Sequence, residues 1–286
     1  MIYRTLTIHD REAAKRLWQA CFPEDSDAFT EWYFARRFCP ALSAGCFSDN
    51  NMLVSVIHGT YMPLYLNGET VPALMVSGVG TAAAHRARGY MHNTMLFLQN
   101  EMRKKGIPIL FNHPQNPNGY IRLGFCPLTQ VIHFSEEKAF FGDRNENCSV
   151  TAFDTDIAFN LYTKIAREYT ASVQRDAAAF LLRIEDCLLD GGKGAVLISN
   201  GLPFGYALYH GTSEIICDEI ACIEEADYKK ALKALILKEG GERITAELPP
   251  RTGLPGKKEL QNIMLAETEI LSRFLHEKKR YCFDTY

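Results

Sequence analysis

Hydrophobic and polar positions divide the first half of the chain into short alternating elements. After a strand at residues 2–8, apolar positions at helical spacing predict two helices, the first capped by Asp10 and the second starting after Asp27. Strands follow around the turn signal Asn67-Gly68, which predicts an antiparallel meander. A helix at residues 89–105, a strand, a short helix and a last strand complete the order β-α-α-β-β-β-α-β-α-β. This order indicates an α/β layer with helices on a mixed sheet.

The second half of the chain partly repeats that order, which indicates an internal duplication. A polar stretch at residues 136–149 separates the halves and is interpreted as a linker. We therefore expect a first domain at residues 1–135, a second at 150–250, and a tail at 251–286 that contains a helix over 258–277. The expected fold class is α/β, with an α+β mixed sheet in two tandem domains and a short helical tail.

Length and composition are those of an ordinary globular protein of about two domains, with 286 residues, 47% hydrophobic and 23% charged. The net charge of −3 gives no positive field for nucleic acid or anionic lipid, so neither is an expected partner. The longest uncharged stretch, residues 194–213, is broken by Gly and Pro and predicts a hairpin rather than a membrane span. An N-terminal apolar signal is also missing.

The nine cysteines are odd in number and contain no Cys-x-x-Cys pair. We expect reduced thiols in the core of a cytoplasmic protein, and no metal site.

The segment from Val76 to Met91 carries the strongest chemical signal. A strand runs into Arg86-x-x-Gly89 and then directly into an amphipathic helix. A helix N-terminus presents unpaired N–H groups and the positive end of the dipole, and glycine lets a ligand approach the backbone closely. The segment therefore predicts a site for an anionic phosphate. Within it, Gly78 and Gly80 predict a bulge and the close approach of another backbone or a ligand.

A second motif, Tyr120-x-x-x-Gly124-Phe125, follows the next strand. With Arg86-x-x-Gly89 it resembles the signature of the GNAT superfamily of acyl-CoA-dependent acetyltransferases, over residues 2–134. The tandem arrangement with a second GNAT-like half looks closer to the Eis (enhanced intracellular survival) group. The sixth signature position is Met91, where the general pattern has Gly or Ala and Eis-type relatives tolerate Leu or Met.

The resemblance implies that acetyl-CoA is the co-substrate and binds around the helix start. The positions implied in binding are Val79, Thr81, Arg86, Ala87, Arg88, Gly89, Tyr90 and Met91. The N–H groups of residues 87–91 would hold the diphosphate, and the side chain of Arg86 or Arg88 would supplement them. An N–H near Val79 would polarise the thioester carbonyl.

The resemblance also implies the catalytic groups. Tyr120 matches the family's general-acid tyrosine, and a phenol of pKa about 10 can protonate a thiolate whose conjugate acid is near 8.5. The alternative is a tyrosine that only packs beside Gly124 and Phe125. The base would be the terminal α-carboxylate of Tyr286, because that terminus enters the first domain's site in the Eis group. His113 is the other candidate.

Acceptor binding is expected at the start of the second helix, which borders the acceptor site in the family. The substrate-binding candidates are Glu24, Asp27, Trp32 and His113. Carboxylates there would attract a cationic amine, although acids in a first helical turn also complement the helix dipole without any ligand.

The second half lacks the phosphate site, because its equivalent junction carries Glu224, Glu225 and Asp227, which would repel a diphosphate. We expect a degenerate copy. The predicted function is transfer of an acetyl group from acetyl-CoA to a primary amine of a small molecule, peptide or protein lysine. The chain is also a candidate homo-oligomer. Two alternatives stay open: a non-catalytic acyl-CoA-binding protein, and an NAD-binding oxidoreductase suggested by Gly-x-Gly-x-x-Ala at residues 78–83.

Overall fold

The computed structural model describes residues 1–114, 116–142 and 147–266, with the backbone alone at 129–130 and 258–266. These residues form two compact units. The first contains 1–64, 70–127 and 263–266, and the second contains 65–69 and 128–262. The division differs from the expected 1–135 and 150–250, because the hairpin tip at 65–69 and the chain from Leu128 group with the second unit.

The first half of the chain follows the predicted order, with one additional short hairpin. Its elements are β1 (Ile2–Thr5), α1 (Arg11–Cys21), α2 (Asp27–Arg36), β2 (Ala44–Phe47), β3 (Leu53–Tyr61), β4 (Leu64–Leu66), β5 (Glu69–Val71), β6 (Ala73–Thr81), α3 (Tyr90–Lys104), β7 (Ile109–Asn112), α4 (Asn118–Ile121) and β8 (Phe125–Glu137).

The sheet of the first unit has the order β1-β2-β3-β6-β7, antiparallel except for the parallel pair β6 and β7. That parallel pairing ends where Met75 faces Phe111, although β6 continues to Thr81. The far half of β6 therefore has a main-chain edge that β7 does not use.

Helices cover both faces of this sheet. Met95, Leu98 and Met102 of α3 are buried against one face, as their helical spacing predicts. Trp18 of α1 and Tyr33 of α2 are buried on the other face, in a cluster rich in aromatic rings. These two layers hold β6 and the start of α3 in place.

The second half of the chain supplies the remaining elements. They are β9 (Cys148–Ala152), α5 (Thr155–Ala166), β10 (Ala171–Val173), α6 (Ala177–Leu189), β11 (Lys193–Ser199), β12 (Leu202–His210), β13 (Glu214–Cys222), α7 (Tyr228–Glu239), β14 (Arg243–Leu248) and β15 (Lys257–Ala266).

The second unit repeats the topology of the first. Its strands lie in the order β9-β11-β12-β13-β14, again antiparallel except for the last pair. The irregular register also recurs: β3 and β6 shift register between Val56 and His58, and β12 and β13 shift between Leu208 and Tyr209. The mixed α/β fold class and the duplication predicted from the sequence are confirmed.

Three local predictions were wrong. Asp10 stands at the start of α1 without capping it, because Arg4 binds both of its carboxylate oxygens at 2.7 and 2.8 Å. Residues 136–149 are not a simple linker, since β8 extends to Glu137 by pairing with β14, and β9 starts at Cys148.

The predicted helix over 258–277 is also replaced, in its described part, by strand β15. Met264 of that strand pairs with Asn112 of β7, so sheet pairing overrides the local helical pattern. The rest of that predicted helix lies outside the described residues.

Two further observations concern the helices and the cysteines. No helix in the described ranges is both long and apolar enough to cross a membrane. The eight cysteines described are all free thiols, four of them buried, and the described residues contain no cluster of metal-ligating side chains.

Candidate functional site

The loop between β6 and α3 forms an open main-chain cradle. Ala87 and Gly89 have positive φ, at 60° and 77°. Gly89 is the N-cap of α3 and supplies no capping side chain, and a Cβ placed on it would meet no atom within 4 Å. Left-handed turns of this kind expose consecutive N–H groups, and the helix dipole adds positive potential. The cradle is therefore suited to an anion.

The backbone of Ala87 is strained, because a left-handed conformation costs an L-residue about 1–2 kcal/mol. Strain retained in an exposed loop points to a function for that loop conformation.

Arginine side chains flank the cradle. Arg86 and Arg88 are both exposed, and the Nε of Arg86 donates a hydrogen bond of 3.0 Å to the carbonyl oxygen of Thr81. That bond attaches Arg86 to the end of β6. The Tyr90 ring lies 6.1 Å from the ring of His85.

Other predicted ligand-binding positions use their side chains for packing. Met91 packs against the core under α3, with its Cε 3.9 Å from where a Cβ of Gly119 would stand. Val79 packs against the same core, and the hydroxyl of Thr81 bonds that of Ser55 at 2.9 Å. Val79 and Thr81 therefore have only main-chain atoms to offer a ligand.

The glycines of β6 have a different role from the one predicted. The bulge is present, with Gly78 at φ 52°, but a Cβ on Gly78 would stand 2.1 Å from the indole of Trp18. A Cβ on Gly80 would stand 3.0 Å from the Sγ of Cys21. These glycines make room for α1 rather than for a ligand. The dinucleotide hypothesis for residues 78–83 is also wrong, because it requires a helix at the glycines and they lie in a strand.

Tyr120 lies half-buried on α4, with its ring edge-to-face on Phe125 at 5.5 Å. Burial raises the pKa of its hydroxyl, and the nearby side chain of Asn112 lowers that pKa by a smaller amount. Asn112 is 3% exposed, and its amide atoms have no well-aligned hydrogen bond among the described residues. His113 follows it and is half-buried. The structure thus brings Tyr120 and the end of β7 together.

Asn112, which lies next to Tyr120, is a further candidate that was not predicted from the sequence. Its signal was a polar side chain at the carboxyl end of a buried apolar strand, where an uncompensated amide is costly unless something uses it.

The four acidic residues near the start of α2 differ in their contacts: some are exposed, and others bond to neighbouring side chains. Glu24 and Asp27 are exposed, and Asp27 is the first residue of α2, where it complements the helix dipole. Asp25 instead accepts a bond of 2.7 Å from the indole N–H of Trp18, and Glu31 pairs with Lys15. Two of the four acids in this stretch are therefore engaged within the fold.

Trp32 is half-buried and stacks within the fold. Its ring lies 5.9 Å from Phe29, and the guanidinium of Arg37 stands 5.1 Å over it. Tyr286, the predicted base, lies outside the described residues.

The equivalent junction of the second unit is acidic. Glu224, Glu225 and Asp227 precede α7, with Asp227 at its N-cap position. These carboxylates occupy the helix end that would otherwise favour an anion.

Comparison with known proteins agrees with this geometry. Residues 2–128 match the family model of an acetyltransferase (GNAT) domain. No curated protein sequence matches the chain significantly.

Solved structures resemble this fold over nearly the whole chain. A probable N-acyltransferase from Enterococcus faecalis V583 superimposes with a TM-score of 0.76 at 14% identity, covering 92% of this chain and 72% of that one. Eis1 from Mycobacterium abscessus superimposes with a TM-score of 0.71 at 14% identity, covering 95% of this chain and 75% of that one. N-myristoyltransferase from Saccharomyces cerevisiae with bound myristoyl-CoA superimposes with a TM-score of 0.59 at 11% identity, covering 100% of this chain and 81% of that one. The family match points to an acetyltransferase domain over residues 2–128, and the solved structures share the fold.

Proposed function

We propose, from the GNAT acetyltransferase domain that residues 2–128 form, that this chain transfers an acetyl group from acetyl-CoA to a primary amine. The observation that carries the proposal is the uncapped start of α3, where Gly89 is open to an approaching anion. The acceptor would be an amine of a small molecule or peptide, or a protein lysine, and the compartment the cytoplasm.

The cradle fits a diphosphate. The main-chain N–H groups of residues 87–91 would donate to it, since no side chain caps them, and Arg86 and Arg88 would add charge from the two sides. Met91 packs against the core under α3, which supports binding at the cradle despite the departure from the family's Gly or Ala.

The chemistry would proceed in a ternary complex. The amine nitrogen attacks the thioester carbonyl carbon, the C–S bond breaks, and the thiolate departs. The unused edge of β6 beyond Met75 would place an N–H near Val79 toward the carbonyl oxygen. Tyr120 is a phenol whose pKa burial raises above its ordinary value near 10, so at neutral pH it holds a proton that it can give to the thiolate. The proton lost by the amine would go to the terminal carboxylate of Tyr286 or to His113.

The acceptor would approach from the start of α2, where Glu24 and Asp27 supply exposed negative charge, and Trp32 would border it. The second unit would act as a degenerate copy without its own acyl-CoA site, because its junction is acidic.

Calorimetric titration with acetyl-CoA tests the proposal. We expect micromolar binding to the wild-type chain and loss of it in Gly89→Glu, because a carboxylate enters the cradle. Gly106→Glu is the matched control: Gly106 also has positive φ, 74°, and open space, but lies after the other end of α3. NAD serves as the competing ligand.

Equal weakening by both variants, or binding of NAD instead of acetyl-CoA, would contradict the proposed site. Binding that persists without turnover on a broad amine panel would instead favour the non-catalytic acyl-CoA-binding protein.

A further inference from the structure

The second unit contains a cavity of about 310 Å³ beside α5. Its lining includes the aromatic residues Tyr65, Phe159 and Tyr162 and the arginines Arg167 and Arg175. All five residues belong to the second unit. A volume near 300 Å³ lined by aromatic and a few polar side chains is typical of small-molecule sites.

The wall of this cavity is fixed by hydrogen bonds. The hydroxyl of Tyr162 donates to the carbonyl oxygen of Val173 and accepts the N–H of Arg175 at 3.1 Å. The guanidinium of Arg175 lies 5.1 Å over the Tyr162 ring, and its Nη1 donates to both oxygens of Glu219 at 3.0 and 2.9 Å. Arg175 is 3% exposed and Glu219 5%. Such a wall is preorganised and changes little when a ligand enters.

The charge of the lining favours an anion. Among the described residues, the lining includes Arg167 and Arg175 and no carboxylate. Glu219 lies behind Arg175 and is shared with Arg183, whose Nε stands 3.5 Å from it. Arg183 also pairs with Asp186 at 3.4 Å, so the two buried guanidinium groups are balanced by two carboxylates. Exposed Arg167 is therefore the positive charge that the lining offers to a ligand.

The two units carry different aromatic side chains at one corresponding helix position. Trp18 of α1 and Tyr162 of α5 are each the eighth residue of the first long helix of their unit. Trp18 packs onto Gly78 of β6. Tyr162 is smaller, and its hydroxyl is engaged with Val173 and Arg175.

We propose that the second unit binds a small aromatic carboxylate in this cavity. The planar ring of the ligand lies among Tyr65, Phe159 and Tyr162, and its carboxylate faces Arg167 at the opening. Asn160 and Gln174, which also line the cavity, supply hydrogen bonds around it. The binding unit is distinct from the acyl-CoA cradle, so the proposal stands independently of the transferase activity.

Ligand binding to the full-length chain tests this proposal. The probes are benzoate, phenylacetate and indole-3-acetate, each paired with its neutral amide, measured by saturation-transfer NMR and calorimetry. We expect at least one acid to bind tenfold or more tightly than its amide, because only the acid pairs with Arg167.

Three variants locate the binding. Arg167→Gln removes the charge at the opening, and Asn160→Trp fills the opening from an exposed position on α5. Each should weaken acid binding at least tenfold. Lys164→Gln removes an exposed charge from the same helix outside the lining and should leave binding unchanged.

Acetyl-CoA titration and far-UV circular dichroism on the same samples report whether each variant is folded and whether the cradle is intact. No binding of any acid at millimolar concentration would overturn the proposal. Equal affinity of Asn160→Trp and Lys164→Gln for the acids, with both variants folded, would also overturn it.

Discussion

The indole of Trp18 packs directly on the backbone of Gly78, so closely that a Cβ on Gly78 would stand 2.1 Å from the ring. Gly78 also has φ 52°, at the register shift between β3 and β6. The bulge that opens the far half of β6 is thus held by an aromatic side chain from α1.

Gly78→Ala should destabilise the protein by about 2–4 kcal/mol, the sum of left-handed strain and overpacking against Trp18. Urea unfolding measures the loss. Gly106→Ala is the control, because it has φ 74° and no neighbouring atom, and should lose only about 1–2 kcal/mol. Equal losses would show that contact with Trp18 does not restrict residue 78.

His58 should make folding stability fall in acid. It is 1% exposed, neither ring nitrogen has a hydrogen-bond partner among the described residues, and burial lowers its pKa to about 3. Between pH 6.5 and 3 the unfolded chain binds a proton that the folded chain does not, so stability falls by about 1.4 kcal/mol per pH unit. Chemical denaturation at several pH values measures this slope.

His58→Leu should remove that contribution and stabilise the protein by roughly 1–3 kcal/mol at pH 7, since the unpaired ring nitrogens are gone. Asp10, whose pKa Arg4 lowers to about 2, also weakens folding in acid but is common to both proteins. The same slope in variant and wild type between pH 6.5 and 4 would exclude His58 as its source.

Glu219→Gln should destabilise the second unit by about 3–5 kcal/mol, because it removes the carboxylate that accepts two hydrogen bonds from the buried guanidinium of Arg175. Glu137→Gln is the matched control. Its pair with Arg243 is exposed, and its loss should change stability by about 1 kcal/mol or less. Thermal unfolding of both variants measures the two losses of stability. Equal losses would contradict the larger contribution expected from the buried Glu219–Arg175 pair.

Tyr120→Phe should lower the turnover of amine acetylation by roughly 10²–10⁴-fold, because no proton donor remains for the thiolate. Acetyl-CoA affinity should stay within twofold, since the ring still packs on Phe125. Steady-state kinetics with a responsive amine, combined with calorimetry, separates the two effects. Unchanged turnover would show that Tyr120 is not the proton donor and only packs against Phe125.

Deletion of residues 283–286 should abolish turnover while leaving acetyl-CoA affinity largely intact, if the terminal carboxylate is the base. His113→Ala measured alongside identifies the other candidate. Loss of activity in His113→Ala and not in the truncated chain would assign the base to His113.

The sequence by itself determined the features that are encoded within short windows. These features are the hairpin at Asn67-Gly68, the helix stripe from Met95 to Met102, the Arg86-x-x-Gly89 turn and the repeated order of elements. Turn chemistry and helical periodicity act between residues a few positions apart, so they are visible in a sequence.

Only the tertiary structure decided what depends on residues far apart in the chain. Whether Gly78 faces a ligand or Trp18, whether residues 258–266 form a helix or pair with β7, and which carboxylate meets Arg175 are settled by elements tens of residues away. The same holds for the cavity beside α5, whose lining joins Tyr65 to residues 159–175. The physical reason is that packing and sheet pairing compete with local preference and contribute more free energy.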